Sequence, residues 1–391
     1  MRLLTFTSLF PNQIQNNLGG FIARRMSVWA EKHASKWVIV APVPFFPALP
    51  FNSPWKNYSD IPLVEKFRQW DVYHFRYGML PKIGLPVQGA SMGLCTVGRV
   101  KKIIQEFGPF DVIDAHFIYP DCFAALEISQ RLGIPLVASA RGSDINNYGQ
   151  MKMIKPMVAR VLKKADAVIG VSQDLVEKMI QLGASEERCH HIPNGVDGEL
   201  FSPGGDRQNS GKNKKLLAVG NLVPEKGFDI LLKAISLLTP LYPDLTLNII
   251  GSGPQLDNLK SLCSELNIED IVHFIGQVRH EQISEWFRNS DVFCLCSLRE
   301  GNPNVVLEAL SSGLPVAATP VGGVPELIQD YQNGILSSEY SPQSLAGAIR
   351  EVLEKEWYPM DIRKTVSHRT WETVAEEVQA VFEKVSRKGS C

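Results

Sequence analysis

The chain has 391 residues, of which 45% are hydrophobic and 21% are charged, a composition typical of a globular protein. This length exceeds what one ordinary hydrophobic core supports, so it excludes a single small domain and predicts two domains. No stretch reaches about 18 uninterrupted apolar residues, and the opening residues lack the pattern of a signal peptide. The sequence therefore predicts neither a spanning helix nor a cleaved leader.

The charges are balanced overall, at 40 Lys and Arg against 41 Asp and Glu. Residues 1–200 hold 22 basic and 17 acidic side chains, against 18 and 24 in the remainder. The basic excess could favour contact with an anionic acceptor or an acidic membrane surface, although an ordinary solvated surface is the more frequent cause of such an excess. We expect no nucleic-acid partner.

Seven cysteines show neither the spacing of a metal site nor that of a disulfide framework. Two of them, Cys294 and Cys296, lie inside an apolar run. A reducing cytoplasm is the simplest location, with peripheral contact at the inner face of the plasma membrane left open. No metal site is predicted.

The first half begins with a predicted strand over residues 3–10, a loop containing Gly19 and Gly20, and a helix that includes Arg24 and Arg25. Glycine allows a backbone to approach a phosphate closely, although an ordinary turn is the alternative. Two apolar segments, 42–55 and 77–94, show no clean period. We expect loops there that shape an acceptor pocket, touch lipid or pack on the core.

His116, Arg141 and Asp144 follow the ends of two predicted strands, 111–116 and 134–140. Ligands gather at the carboxyl ends of strands in doubly wound sheets. The imidazole can exchange a hydrogen bond with a sugar hydroxyl, the guanidinium can neutralise phosphate, and the carboxylate can orient either one. Each side chain could instead cap a helix or close a turn.

A polar, glycine-rich interval over residues 202–215 separates the two predicted cores, so we place the boundary there. The predicted domains are residues 1–203, residues 204–370, and a C-terminal helical segment, 371–391. Lys226 lies in the turn after a strand over 216–219, where it can meet a diphosphate. A strand over 245–250 leads to Gly251 and Gly253, but no third glycine completes a dinucleotide fingerprint.

The most informative stretch is residues 291–328, which begins with a strand over 291–298. Glu300 follows it, and a short helix begins near Asn304. The first N–H groups of a helix lack internal partners, so the backbone from Asn302 to Val305 can bind an anion. Glu300 and Glu308 flank this backbone and suit the hydroxyls of a nucleotide sugar, although solvated glutamates at this spacing are common.

The run REGNPNVVLEALSSGLPVAATPVGGVPELI closely resembles the donor-site signature of glycosyltransferase family 4, with Glu300 and Glu308 as its paired glutamates. The resemblance implies the α/β GT-B fold, in which two Rossmann-like doubly wound parallel-sheet domains face a cleft and the final helix crosses back to the first domain. It also implies a retaining transfer from a nucleotide-diphosphate sugar to a hydroxyl of a glycan or lipid-linked glycan, as in bacterial exopolysaccharide or cell-wall synthesis. No cofactor or metal is expected.

The resemblance also implies roles for individual residues. Glu300 would position the donor sugar, His116 would contact a sugar hydroxyl near the reacting carbon, and Lys226 would hold the leaving phosphate. The remaining candidates would bind the donor: Glu308, Asn302, Pro303, Asn304, Val305, Gly19, Gly20, Arg141, Asp144, Asn221, Gly253 and Val278.

One candidate departs from the family pattern, because Asn221 stands where family members often have an arginine. An amide cannot neutralise charge, so Arg141 or a helix N-terminus would have to compensate. Two other functions therefore stay open: a nucleotide-sugar epimerase or hydrolase, and a noncatalytic subunit that binds sugar nucleotides. The sequence leaves the donor base, the donor sugar, the acceptor and the oligomeric state undetermined.

Overall fold

The structure, a computed structural model, describes residues 1–16, 18–45, 58–79, 84–204 and 213–388. The chain divides into two compact units, one formed by Met1–Asn194 with Trp371–Cys391 and the other by Gly195–Thr370. Each unit contains a largely parallel sheet joined by helices, which confirms the predicted α/β class.

The first unit is built on an eight-stranded sheet with the order β10-β9-β8-β7-β1-β2-β5-β4. All neighbouring strands are parallel except β4 and β5, and β3 pairs with β6 separately. The strands are β1 (Arg2–Phe6), β2 (Lys36–Val40), β3 (Val43–Phe45), β4 (Val64–Phe67), β5 (Trp70–Tyr73), β6 (Arg76–Gly78), β7 (Val112–His116), β8 (Leu136–Ser139), β9 (Ala167–Gly170) and β10 (Cys189–His191). The helices are Gly20–His33, Leu85–Phe107, Phe123–Leu132, Ser143–Asn146, Lys155–Lys164 and Gln173–Gln181, with Trp371–Lys388 at the end of the chain.

The second unit has a six-stranded parallel sheet with the order β13-β12-β11-β14-β15-β16. Its strands are β11 (Lys215–Val219), β12 (Thr246–Ile250), β13 (Val272–Gly276), β14 (Val292–Leu295), β15 (Val316–Ala318) and β16 (Gly334–Leu336). Its helices are Phe228–Leu238, Leu256–Glu265, His280–Arg288, Asn304–Ser311, Val324–Leu327, Pro342–Glu354 and Pro359–Lys364.

The strand order of each sheet reverses at one point. In the first sheet the chain runs outward from β1 on one side and from β7 on the other, and in the second it does so from β11 and β14. Loops at the carboxyl ends of these neighbouring strands diverge and leave room for a ligand. The loops after β1 and β7, and those after β11 and β14, are therefore where each unit can hold a site.

The boundary between the units, after Asn194, is the point from which side chains and backbone contact the second unit. Phe201 lies in the core of the second unit, where its ring meets that of Phe287 edge to face. The N–H of Val196 donates to the carbonyl of Arg369 in the same unit. Because these contacts begin right after Asn194, the second unit starts earlier than the boundary predicted from composition. Residues 205–212 of the predicted linker lie outside the described residues.

The terminal helix Trp371–Lys388 packs on the helix Gly20–His33 of the first unit. Phe382 is fully buried and meets the Trp29 ring edge to face, with ring centres 5.4 Å apart. The indole N–H of Trp29 donates to Oε1 of Gln379 at 2.9 Å. The terminal helix therefore contributes to the hydrophobic core of the first unit.

One apolar segment predicted as a loop is partly helical. The helix Leu85–Phe107 begins within residues 77–94, and β6 lies at the start of that segment. A Cβ on Gly89 would lie 2.9 Å from the Phe123 ring, so glycine lets this helix pack closely on its neighbour. The glycines that suggested a loop thus serve helix packing. Residues 46–55 and 80–83 lie outside the described residues.

Truncating Phe382 tests whether the terminal helix is part of the first unit. We expect Phe382→Ala to lower the free energy of unfolding by about 3–5 kcal/mol, because it leaves a cavity against Trp29. Urea denaturation followed by tryptophan fluorescence measures this. Leu94→Ala, at a side chain that is 63% exposed, is the control and should change stability by less than about 0.5 kcal/mol. Equal effects of the two substitutions would contradict the packing role.

Candidate active site

Gly19 and Gly20 lie where the loop after β1 enters the helix Gly20–His33. Gly19 has a φ of 63°, and a Cβ there would lie 2.0 Å from the carbonyl oxygen of Leu9, so the fold itself requires this glycine. A Cβ at Gly20 would meet nothing within 4 Å. Packing therefore does not explain why residue 20 is a glycine, since a side chain there would meet no described atom at the start of the helix.

His116 ends β7 and is fully buried. Its Nδ1 lies 2.6 Å from Nη2 of Arg141, and its Nε2 lies 2.8 Å from Oδ2 of Asp114. Burial lowers the pKa of His116 to about 4, although the nearby Asp114 acts in the opposite direction. The ring is therefore neutral at physiological pH. Its Nδ1 is bound to Arg141, whereas its Nε2 is buried near Asp114 without a hydrogen bond in the described part of the chain.

The predicted contact of His116 with a sugar hydroxyl stays a prediction. Arg141 occupies Nδ1, so Nε2 is the ring nitrogen that could exchange a hydrogen bond with such a hydroxyl. The sequence predicted the position of the histidine at a strand end, but it gave no signal of its contact with Arg141.

Arg141 lies in the loop after β8 with its guanidinium 5.2 Å from the centre of the Phe21 ring. Since Phe21 follows Gly20, this places the cation beside the start of the helix Gly20–His33. Nη2 is bound to His116, whereas Nε and Nη1 are buried without a hydrogen-bond partner in the described part of the chain. A guanidinium whose Nε and Nη1 have no hydrogen-bond partner in the described part of the chain is suited to bind an anion.

Asp144, in contrast, is committed to the backbone. It is fully buried and accepts hydrogen bonds from the N–H groups of Ile118 at 2.8 Å, Arg141 at 3.0 Å and Gly142 at 2.8 Å. Burial raises its pKa, against the effect of these bonds. Its predicted contact with the donor is therefore corrected to the alternative in which it closes the loop that holds Arg141.

A further buried carboxylate was missed from the sequence. Asp121 accepts from the N–H of Ser8 at 2.6 Å and from the hydroxyl of Thr7 at 3.2 Å, and burial raises its pKa to about 7. It ties the loop after β1 to the chain after β7. Its position five residues after His116, past the end of the same strand, was the available signal.

In the second unit, Lys226 and Glu300 form an ion pair with Nζ 2.6 Å from Oε1. The Ser297 hydroxyl donates to the same oxygen at 2.5 Å. These residues come from the loops after β11 and β14, the two strands between which the sheet order reverses. The Glu300 side chain is 9% exposed, so it points into the protein and not into bulk solvent.

The backbone of Glu300 also packs closely against Gly322. Gly322 has a φ of 53°, and a Cβ there would lie 1.9 Å from the carbonyl oxygen of Glu300. The N–H of Gly323 also donates to the carbonyl of Gly301 at 3.0 Å. The VGG segment after β15 therefore supports the loop that presents Glu300.

The helix Asn304–Ser311 begins directly after this loop. Pro303 precedes it and no side chain caps its first turn, so the start of the helix is built from backbone as predicted. Asn302 and Pro303 are buried, and Asn304 and Val305 are half-buried. The peptide dipoles concentrate partial positive charge at this point.

Glu308 lies one turn inside that helix and is buried. Its Oε1 is 2.8 Å from Nε2 of His280, and its Oε2 has no hydrogen-bond partner in the described part of the chain. The hydrogen bond from His280 raises the pKa of that imidazole, against the effect of burial. His280 begins its own helix and was not predicted as a site residue.

Three predicted donor contacts lie elsewhere in the second unit. Asn221 is exposed on the loop after β11. Gly253 packs against the backbone of that loop, since its Cβ would lie 2.4 Å from the carbonyl oxygen of Leu222. Val278 is half-buried against the core. The structure places these residues on loops beside the carboxyl edge of the sheet, and their roles stay predictions.

Among the described residues, no three His, Cys, Asp or Glu side chains are grouped so that they could hold a metal ion. Within the same described ranges, every helix is too short or too polar to cross a membrane.

Two family models match the chain, and together they involve both units. Residues 80–200 match the model of glycosyltransferase family 4, and residues 206–369 match the model of group 1 glycosyl transferases.

Among curated proteins, an uncharacterized glycosyltransferase of Haemophilus influenzae is 43% identical over 33% of this chain and 36% of its own length. A GDP-mannose-dependent phosphatidylinositol monomannoside mannosyltransferase of Mycolicibacterium smegmatis is 28% identical over 56% of this chain and 60% of its own length. These two matches thus span less than two thirds of each relative's own length. The putative teichuronic acid biosynthesis glycosyltransferase TuaC of Bacillus subtilis is 29% identical over 97% of this chain and 95% of its own length.

Solved structures share the fold across the whole chain. Anabaena Alr3699/HepE in complex with UDP has a TM-score of 0.73 at 21% identity, covering 98% of this chain and all of that one. A sucrose-phosphate synthase from Thermosynechococcus elongatus has a TM-score of 0.74 at 19% identity, covering 100% and 98%. The two family models, over residues 80–200 and 206–369, show that the chain belongs to the glycosyltransferases, and these structures show that it shares the GT-B fold, as the signature around Glu300 and Glu308 predicts.

Proposed function

We propose that this glycosyltransferase moves a sugar, with retention of anomeric configuration, from a nucleoside-diphosphate sugar to a hydroxyl of a glycan or lipid-linked glycan. The main support is the Lys226–Glu300 ion pair beside the start of the helix Asn304–Ser311. A cation, a dipole and a carboxylate in one place match a diphosphate joined to a polyhydroxylated ring. The names of the relatives, which include GDP-mannose and teichuronic acid, support this substrate class.

The second unit supplies a group for each part of such a donor. Lys226 and the helix start offer positive charge to the phosphates. Glu300, held by Lys226 and Ser297, offers its carboxylate to a sugar hydroxyl. Glu308 has Oε2 left to accept from the ribose hydroxyls, while His280 occupies Oε1. These assignments follow from the contacts and charges of these side chains.

The reaction needs no protein nucleophile in this proposal. The bond between the anomeric carbon and the phosphate oxygen breaks while the acceptor oxygen bonds to the same face of that carbon. The acceptor proton passes to the leaving phosphate. Lys226 and the helix dipole stabilise the negative charge that grows on that phosphate, and this preorganised charge is the main source of rate.

The amide of Asn221 supplies no positive charge to the loop after β11, and we propose that Arg141 of the first unit is a separate anion-binding group. Its buried Nε and Nη1 have no hydrogen-bond partner among the described residues, and Gly20 leaves room beside it. With Lys226 and the helix start also available, we expect transfer to proceed without a metal ion and to persist in EDTA.

The acceptor and location are part of the same proposal. On the first unit, Leu94 and Met153 are 63% and 66% exposed, and the exposed Lys152 and Lys155 flank Met153. Exposed apolar side chains with nearby cations suit the surface of an anionic membrane. We therefore propose a peripheral enzyme at the cytoplasmic face, acting on a lipid-linked glycan.

A transfer assay tests the proposed function. The full chain is incubated with a panel of labelled nucleotide sugars, with and without a lipid extract of the native cell. We expect label in the lipid fraction for one donor, and retention of its anomeric configuration by NMR. Donor turnover independent of added lipid would favour an epimerase or hydrolase, and binding without turnover a noncatalytic subunit.

Removing the Lys226 cation should slow transfer strongly. We expect Lys226→Met to lower kcat/KM by about 100- to 1,000-fold, the usual effect of removing a group that stabilises transition-state charge. Steady-state kinetics with the identified donor measure it. The exposed Lys260→Met is the matched control and should keep full activity. Wild-type kinetics in Lys226→Met would remove this residue from the site.

Gly20→Ala separates a ligand contact from a structural glycine. Because the new Cβ meets nothing within 4 Å, stability should change by less than about 1 kcal/mol. If a phosphate approaches this backbone, the donor Kd should rise by at least about tenfold, as calorimetry would show. Gly347→Ala, also in open space, should leave the Kd unchanged. A donor Kd unaffected by Gly20→Ala would mean that no ligand comes close to this turn.

The His280–Glu308 bond predicts a pH dependence. His280 titrates above its ordinary pKa of about 6.5, so the bond stabilises the fold fully below that value, and this contribution is lost as pH rises through the higher folded pKa. In Glu308→Gln the pKa of His280 should fall, and NMR titration of the imidazole measures it. The signal of the exposed His273 is the internal control. An unmoved His280 titration would contradict the bond.

A further inference from the structure

Phe117, the first residue after β7, has a backbone conformation that bulky side chains rarely adopt. Its φ is 76° and its ψ is 99°. A positive φ brings the Cβ of a large residue against its own backbone, so this conformation is unfavourable unless the surroundings impose it. Because backbone strain of this kind collects at positions that contact a ligand, Phe117 is a candidate for such a contact.

Hydrogen bonds on both sides fix this conformation. The N–H of Phe117 donates to the carbonyl of Ser139 at 2.9 Å, and its carbonyl accepts from the N–H of Cys122 at 3.0 Å. The next N–H, that of Ile118, donates to Oδ2 of the buried Asp144 at 2.8 Å. Since these bonds hold the backbone at residues 117 and 118, the fold presents the Phe117 side chain in one defined direction.

The packing of the Phe117 ring does not explain the strain. The ring is half-buried and lies outside the hydrophobic cores that the described residues form. It meets the ring of Tyr148 edge to face, with the ring centres 5.8 Å apart. A side chain that gains little from the core, on an unfavourable backbone, is accounted for when another molecule completes its contacts.

Tyr148 offers a polar group beside the Phe117 ring. It begins the short helix Tyr148–Gln150, which follows β8, the strand next to β7. Its ring also meets that of Tyr119, whose hydroxyl donates to the carbonyl of Leu85 at 2.6 Å. The Tyr148 hydroxyl, by contrast, makes no hydrogen bond within the described ranges of the chain. Burial and two nearby carboxylates raise the pKa of Tyr148, so the hydroxyl keeps its proton and can donate.

We propose that Phe117 and Tyr148 form a subsite on the first unit for one sugar ring of the acceptor glycan. A sugar ring carries C–H groups on its face and hydroxyls around its rim. The C–H groups suit the electron-rich face of an aromatic ring, and a rim hydroxyl can accept from Tyr148. Both residues follow strands at the carboxyl edge of the sheet, where ligands gather. The subsite rests on the proposed function only in assigning the ring to the acceptor.

The first test uses glycosides without any donor. Methyl glycosides of the common hexoses and N-acetylhexosamines are titrated into the full chain and followed by saturation-transfer NMR. We expect saturation of the aromatic protons to reach the ring C–H groups of at least one glycoside. Phe117→Gly should raise its Kd at least about fivefold, and Tyr148→Phe about 2- to 10-fold, because each removes one contact. No transfer to any glycoside, or a wild-type Kd in Phe117→Gly, would overturn the subsite.

Phe117→Gly also shows whether the ring serves the fold. Glycine tolerates a positive φ and the ring lies outside the core, so the melting temperature should stay equal or rise. Tyr331→Gly is the matched control, because Tyr331 is an exposed aromatic residue of the second unit that also has a positive φ, 61°. It should leave the glycoside Kd unchanged. A melting temperature lowered as far as by Phe107→Ala, whose ring packs on the core, would assign Phe117 to folding and overturn the subsite.

Kinetics with the donor and lipid acceptor from the transfer assay separate the subsite from donor binding. We expect Phe117→Gly to raise the acceptor KM at least about fivefold and to leave the donor Kd unchanged. A raised donor Kd with an unchanged acceptor KM would place these rings against the donor and overturn the acceptor assignment. If the wild type transfers sugar and Phe117→Gly keeps both constants, the subsite falls and the proposed function stands. If no donor is turned over, the glycoside titrations still decide the subsite, and the proposed function alone falls.

Discussion

The Lys226–Glu300 ion pair is the interaction on which the candidate site of the second unit depends, and it follows from strand order. β11 and β14 are neighbours although the chain between them forms two further strands and their helices. Their following loops therefore begin side by side, and residues 74 positions apart come within 2.6 Å. The pair is held by Ser297 and by the close packing of Gly322 on Glu300, so its geometry does not require a ligand to order it.

The first unit obeys the same constraint with a different chemistry. The loops after β1, β7 and β8 lie at the point where the strand order of its sheet reverses. The charged side chains Arg25 and Asp114 are buried in this unit, whereas Lys226 in the second unit is partly exposed. A buried guanidinium is stable only when its surroundings compensate it. Nδ1 of His116 accepts from Nη2 of Arg141, and Nε and Nη1 of the guanidinium have no hydrogen-bond partner among the residues that the structure describes. Such donors lower the cost of bringing an anion out of water, because they have lost their own hydration already.

The sequence predicted the α/β alternation, the resemblance to family 4 and the positions of Glu300, Glu308 and Lys226, because each follows from a local pattern or a contiguous motif. It did not predict the helix Leu85–Phe107, since glycines that allow close helix packing look the same as glycines in a loop. His280 and Asp121 were missed because their partners, Glu308 and Ser8, are distant in sequence. His116 and Asp144 were found at the right strand ends, but chain order cannot tell a side chain that faces a ligand from one that faces Arg141 or a backbone N–H.

The two glycines after β1 are adjacent in sequence, but the structure requires a glycine only at the first of them. Gly19 adopts a left-handed φ against the Leu9 carbonyl, so any family of proteins with this turn would need it whatever the protein binds. Gly20 has ordinary helical geometry and open space, so folding does not require it to lack a side chain. A helix that begins with glycine beside Phe21 and Arg141 leaves its first N–H groups accessible to another molecule. Packing within the folded chain therefore leaves the second glycine unexplained, and its contact with a substrate stays a prediction.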